Sequence, residues 1–326
     1  MKSRNPTSTG GVDRRTFITS IAAAGASISL SRLRGAELFM GKTVTPGKIH
    51  VFSKPFSWLG YEDMAILLSE AGAEGIDLTV RPEGHVLPEK VESDLPKAVE
   101  AARKHGLNVD MIVTGIISPD QQYAESILRT ASSLGIKYYR LGWIDYDYNL
   151  GIKGTLRKYK PEFEKLAAMN RKYGMHGAYQ NHAGTMVGGA VWDIYELLEG
   201  LDPQFIGCQY DVRHAVVEGG TSWSNGLKLI APWVKCTDIK DFKWLETDGR
   251  WNPVSVPLGE GMVDYDEYFR IMKAGNFTGP MSVHFEYPPF ENSKITLADS
   301  DKRKLFIKEA KRDIDRLKSY RSKYLL

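Results

Sequence analysis

Two cysteines, Cys208 and Cys236, are all that 326 residues contain, too few for the disulfide framework that staples small secreted domains. Long apolar runs are also missing. The stretch Ile18 to Leu30 is Ala-rich and apolar, but it falls short of the roughly 20 residues a membrane-spanning helix needs, so no stable membrane span is expected. Charge of one sign is scarce: the formal net charge is +3, with no basic stripe and no arginine-rich tail. That balance argues against nucleic acid as a partner. No G-x-G-x-x-G follows the first β-branched run, which removes the signature of dinucleotide binding. What remains is a chain with 42% hydrophobic residues, enough to bury one large core.

The N-terminus reads as a targeting segment rather than as part of that core. Asp13-Arg14-Arg15-Thr16-Phe17 precedes the apolar stretch, a twin-arginine pattern spanning residues 1–30, with residues 31–47 as a linker. A periplasmic protein is expected, tethered to the membrane if the segment is not cleaved. Twin-arginine export carries proteins already folded, which suits an enzyme that takes up an ion before leaving the cytoplasm.

From residue 48 to 326, short apolar runs alternate with longer amphipathic segments eight times. The strand candidates are His50–Lys54, Gly75–Val80, Val109–Gly115, Lys137–Trp143, Met175–His182, Phe205–Asp211, Trp233–Asp241 and Met281–Glu286. Helix candidates between them include Tyr61–Ala71, Val91–His105, Gln121–Leu134, Pro161–Tyr173, Val191–Leu198, Tyr265–Lys273 and Ser300–Tyr320. Pro161 is expected to open one helix and Gly174 to close it. Strand–helix alternation implies parallel pairing with right-handed crossovers. Eight units in one chain of this length predict an α/β fold, a single (β/α)8 TIM barrel. On this register Cys236 points into the barrel and Cys208 into the outer layer, so no disulfide is expected between them.

In such a barrel the chemistry gathers at the C-terminal ends of the strands. Four runs of the second half end in polar clusters: Gln180-Asn181-His182, Asp211-Val212-Arg213-His214, Asp238-Ile239-Lys240-Asp241 and His284-Phe285-Glu286. Residues two apart share a face of a strand, which groups Gln180 with His182, Asp238 with Lys240, and His284 with Glu286. Carboxylates, imidazoles, an amide and a lysine at one mouth suit a metal-dependent site for a polyhydroxylated substrate. Each residue also has a structural alternative. Asp211 can cap the next helix, Asp238 can cap backbone amides, Lys240 and Asp241 can form a surface ion pair, Glu286 can be a solvated loop carboxylate, and the histidines can be satisfied core residues. In the first half, Asp77, Arg81 and His85 follow the second strand in a polar loop that is a candidate substrate lid. Trp58, Trp143, Trp223, Trp244 and Trp251 fall near strand ends, as sugar platforms or as packing.

The run Asp211-x-x-His214, the tail Ile239-Lys240-Asp241, the Gly259-Glu260-Gly261 turn before Val263-Asp264-Tyr265, and the closing Glu286 together resemble the xylose isomerase-like sugar isomerase/epimerase superfamily over residues 48 to 320. The resemblance implies a divalent ion held by Glu, Asp, His and Glu from strands five to eight, with the two glutamates working as acid and base. It also implies barrels that pair through their loop faces. Carried over by position, Asp211 and Glu286 match two ligands, and His214 matches a histidine that binds substrate oxygen. Gln180 stands where the family has glutamate, and Asp238 where it has histidine. An amide oxygen can coordinate a hard cation but cannot abstract a proton. The set Gln180, Asp211, Asp238 and Glu286 would suit Mn²⁺, Co²⁺ or Mg²⁺ better than Zn²⁺.

The function expected on this basis is a divalent-metal-dependent sugar isomerase or epimerase acting by proton abstraction next to a carbonyl. Glu286, His182 and Lys240 are the catalytic candidates, with His214, Arg81 and His85 binding a small carbohydrate. Two alternatives stay open: β-elimination from a 3-keto-glycoside, and a carbohydrate-binding barrel without catalysis. Metal-dependent cleavage of abasic DNA would want more histidines and a basic groove.

Overall fold

The computed structural model describes residues 46–291 and 297–325. The segment expected to direct export, residues 1–30, and nearly all of the expected linker lie outside the described residues.

Eight parallel strands close on themselves: β1 (Ile49–Phe52), β2 (Gly75–Thr79), β3 (Asn108–Val113), β4 (Tyr138–Arg140), β5 (His176–Gln180), β6 (Ile206–Asp211), β7 (Val234–Ile239) and β10 (Met281–Val283). The seam pairs the first strand with the last, Ile49 opposite Met281 and Val51 opposite Val283. Helices follow the strands: α1 (Tyr61–Glu70), α2 (Val91–Lys104), α3 (Ala124–Ser133), α4 (Gly151–Tyr173), α5 (Val191–Leu198), α6 (Val212–Gly219), α7 (Trp223–Ile230), α8 (Tyr265–Ala274) and α9 (Asp299–Tyr324). The predicted (β/α)8 barrel is present, with each strand shorter than its apolar run.

Burial explains why these segments are strands. Along β5 and β6 every residue is buried, because one side chain in two faces the helices and the next faces the barrel interior. The outward set, including Tyr139, Tyr179, Cys208 and Tyr210, joins the main hydrophobic core. Inside, Met111, Ala178 and Cys236 form a small apolar layer. Both cysteines are buried and free, on opposite sides of the sheet. Above that layer the interior turns polar, and Gln209, Asp77, Asp238 and Gln180 are all buried there.

Three elements depart from the sequence expectation. Pro161 lies inside α4, not at its start. A mid-helix proline forfeits one backbone hydrogen bond, but Leu156, Phe163 and Leu166 on either side of it are buried, and their packing holds the helix through it. Gly174 does close that helix, in the left-handed conformation at φ 63°, where glycine has no Cβ to clash. The seventh strand ends at Ile239, and Asp241 begins an antiparallel hairpin, β8 (Asp241–Thr247) with β9 (Arg250–Val256). Its turn is Asp248-Gly249, both at positive φ, the Asp-Gly signal of a tight hairpin. Trp244 and Trp251 ride on this hairpin, exposed by 37% and 65%, and line neither cavity at the mouth.

Candidate active site

The ends of β5 and β6 are first locked together by a backbone-directed amide. Asn181 accepts from the Asp211 N–H at 2.8 Å and donates to the Asp211 carbonyl at 2.9 Å, bridging β5 to β6. Asp211 takes the backbone N–H of His214 at 3.1 Å, capping α6, so its structural and site roles coexist. Asp241 accepts from the N–H groups of Phe242, Gly259, Gly261 and Val263 at 2.9 to 3.2 Å. It therefore holds the loop that carries Gly259-Glu260-Gly261, and Lys240 is left facing the barrel without it.

Within this frame the side chains interlock. Gln180 donates through Nε2 to Asp211 Oδ2 at 2.9 Å and Asp238 Oδ2 at 2.6 Å. Its Oε1 accepts from Arg140 Nη1 at 2.8 Å. Lys240 Nζ sits 3.1 Å from Asp211 Oδ2 and 2.8 Å from Glu286 Oε2. One layer deeper, Gln209 donates to Asp238 Oδ1 at 2.7 Å. The His284 ring lies between two carboxylates, 3.1 Å from Asp238 and 3.4 Å from Glu286. Asp77, Asp238 and His284 form a buried group whose donor atoms lie within 4.8 Å of one another.

These contacts set the protonation states. Burial pushes the Asp77 carboxyl up to about 6, helped by repulsion from Asp238. Burial opposes a charged His284, but Asp238 and Glu286 outweigh it and hold the ring up at about 9. Burial alone would raise the Glu286 carboxyl; the Lys240 ammonium and His284 keep it well below the usual range. Glu291 moves the other way, raised by burial and by the Glu286 charge. Burial, with Lys240 nearby, lowers His182 to about 4, so its ring is neutral near pH 7. His182 Nδ1 lies 2.9 Å from the Ala183 carbonyl, which can only accept, so Nε2 carries the lone pair.

A cavity of about 130 Å³ opens over this network, and its walls include Arg81, Arg140, Trp143, Gln180, His182, Lys240, Glu286 and Glu291. It shares Phe52, Lys54, Glu286 and Glu291 with a wider cavity of about 580 Å³ reaching to Trp58 and Lys302. Of the catalytic candidates, Glu286, His182 and Lys240 all reach the smaller cavity, as does Arg81.

Other candidates sit away from that wall or are engaged by neighbours. His85 is not on the wall: its Nε2 lies 3.2 Å from the Phe56 carbonyl and its Nδ1 3.1 Å from Thr79 Oγ1, so both nitrogens are spent on folding the loop after β2. His214 stands behind His182, ring centroids 3.9 Å apart, with Nδ1 taken by Arg213 at 3.0 Å. Gln180 cannot serve as a metal ligand as placed, because Arg140 occupies its oxygen and its N–H groups face the carboxylates. Asp211, Asp238 and Glu286 do converge, but around Lys240 and that amide. Arg140 was missed, although it ends its strand as the other site residues do. Its guanidinium packs 4.8 Å over Trp143.

Known proteins share this architecture. An inosose dehydratase of Bacillus anthracis is 27% identical over 147 residues, covering 39% of this chain and 48% of that protein. The chain thus spans about half the length of the curated relatives it matches. The IolI protein, solved with a zinc atom, superposes with a TM-score of 0.64 at 17% identity, over 85% of this chain and 99% of that one. A 3-keto-D-glucoside 4-epimerase from E. coli gives a TM-score of 0.58 at 14% identity, again over 85% and 99%. The family model for xylose isomerase-like TIM barrels matches residues 66–300, more than half of the sequence, and with its closed eight-stranded barrel the chain belongs to that family.

Proposed function

We propose that this barrel removes a proton next to the carbonyl of a keto sugar or keto-glycoside and then expels the oxygen substituent on the β-carbon. The observation that carries this reading is the pairing at the cavity wall: a carboxylate, Glu286, held ionised beside an ammonium, Lys240. Glu286 takes the C–H proton, and the electrons move into an enolate. Lys240 leaves Glu286 for the developing oxyanion, which strengthens Glu286 as a base at the moment it is needed. As the C–O bond breaks, Glu291, whose carboxyl is raised on the same wall, protonates the leaving oxygen. Carboxyls pushed apart in this way take the acid and the base roles.

The expected isomerase or epimerase chemistry begins with the same proton abstraction but differs at the second step. Epimerisation returns a proton to the opposite face of the carbon, where Gln180 offers an amide in place of a second carboxylate. His182, neutral and with its Nε2 lone pair open, is the group that would serve there. The matched dehydratases favour elimination, while the keto-glucoside epimerase among the similar folds fits the carbonyl substrate. The Arg14-Arg15 pair motivates placing the enzyme in the periplasm, where glycosides are met.

A chromogenic 3-keto-glucoside tests the proposal. Release of the aglycone with formation of an enone, lost in Glu286→Gln, is the expected outcome. Exchange of the C–H proton with solvent deuterium and no release would return the weight to epimerisation, and neither signal would overturn both.

A further inference from the structure

We infer that the mouth of this barrel works without a divalent ion, the Lys240 ammonium holding the position an ion would need. Lys240 Nζ is shared by Asp211 Oδ2 at 3.1 Å and Glu286 Oε2 at 2.8 Å, and the residue is only 4% exposed. A dication bound to those same oxygens at the usual ~2.0–2.6 Å would press directly against the ammonium. The two cations exclude one another.

The fourth corner of the mouth points the same way. Gln180 presents N–H groups to Asp211 and Asp238 at 2.9 and 2.6 Å, and hydrogens do not coordinate a metal. Turning the amide over would set its oxygen against two carboxylates and its NH₂ against the Arg140 guanidinium. The hydrogen-bond network therefore fixes the orientation. The deeper group of Asp77, Asp238 and His284 leaves Asp77 Oδ1 and His284 Nε2 without a hydrogen-bond partner, but its other carboxylate oxygens are engaged. Asp238 Oδ1 already faces Gln209 at 2.7 Å and the His284 ring at 3.1 Å, and Asp77 Oδ2 accepts from Ser282 at 2.8 Å.

An ammonium at this mouth can do for an enolate oxygen what an ion does, with a single charge and directional N–H donors. This catalytic part rests on the proposed carbonyl chemistry; the absence of an ion at the mouth does not. The test uses the purified full chain. Elemental analysis should find no stoichiometric divalent metal, and Mn²⁺ titration by calorimetry should give no binding heat. Lys240→Met and Lys240→Gln remove the ammonium while leaving three carboxylates, and each should bind Mn²⁺ at least about ten-fold more tightly than the parent, as relief of charge repulsion requires. Binding heat and Mn²⁺-dependent melting report this even where activity is lost. About one ion per chain in the parent, or equal Mn²⁺ affinity in parent and variants, overturns the inference. Metal-free protein that is inactive on keto-glucosides would leave it standing and defeat the proposed reaction; keto-glucoside turnover abolished by chelator would do the reverse.

Discussion

At the scale of single residues, position at a strand end was enough to find Glu286, Lys240, Asp211 and Gln180. It could not say which neighbour consumes each polar atom. His85 and His214 have the same sequence credentials as His182, yet both nitrogens of His85 are taken by Phe56 and Thr79 and Nδ1 of His214 by Arg213, partners set by loop geometry. The Gln180 amide is oriented by Arg140, forty positions away. Glu286→Gln should lower kcat by ~10²–10⁴-fold, the ordinary worth of a general base, with an unchanged circular dichroism spectrum. Gln180→Glu should cost on the order of 2–4 kcal/mol in urea unfolding at neutral pH, since it sets a third carboxylate against Asp211 and Asp238 and the gain from Arg140 does not offset it. His284 gives a pH signature. Its folded value of about 9 lies above the ordinary imidazole value of 6.5, so its contribution is complete below 6.5 and is lost as pH rises through 9. That loss is at most on the order of 3 kcal/mol. Melting temperature should fall across that window in the parent and stay flatter in His284→Gln.

At the scale of elements, the eight strands and the helix from Val191 to Leu198 were readable because alternation and burial agree there. The hairpin was not, because β8 continues the seventh strand's apolar run with a break of a single residue. Its cause lies in Asp241, whose carboxylate gathers four backbone N–H groups and turns the chain out of the barrel. Asp248-Gly249 was a legible signal that went unused. Gly261 is part of the same device: a Cβ there would lie 2.0 Å from Asp241 Oδ1. Gly261→Ala should therefore destabilise by on the order of 2–4 kcal/mol and displace Lys240, the neighbour of Asp241. Thermal melting and aglycone release should report both effects together.

At the scale of the whole molecule, closure is reinforced from outside the sheet. Arg321 on α9 holds both oxygens of Glu74 at 2.6 and 2.7 Å and reaches the Gly47 carbonyl at 3.2 Å, while Glu74 also accepts from the Ile49 N–H at 2.8 Å. Arg321→Ala should lower stability by about 1–3 kcal/mol, because it leaves a half-buried Glu74 without its partner, and should do so without altering keto-glucoside turnover. Within each protein, unfolding followed by tryptophan fluorescence and by circular dichroism should give coincident single transitions, with the variant's midpoint below the parent's.

The seam between β1 and β10 also orders events during synthesis. The first of the eight strands to leave the ribosome has its second neighbour in the last strand of the barrel, and the arginine that clamps its start is later still. Until those residues are made, β1 has one bare edge, open to pairing with any other extended chain. The barrel is thus completed only after translation of its final helix, and the cell must shelter that edge in the meantime.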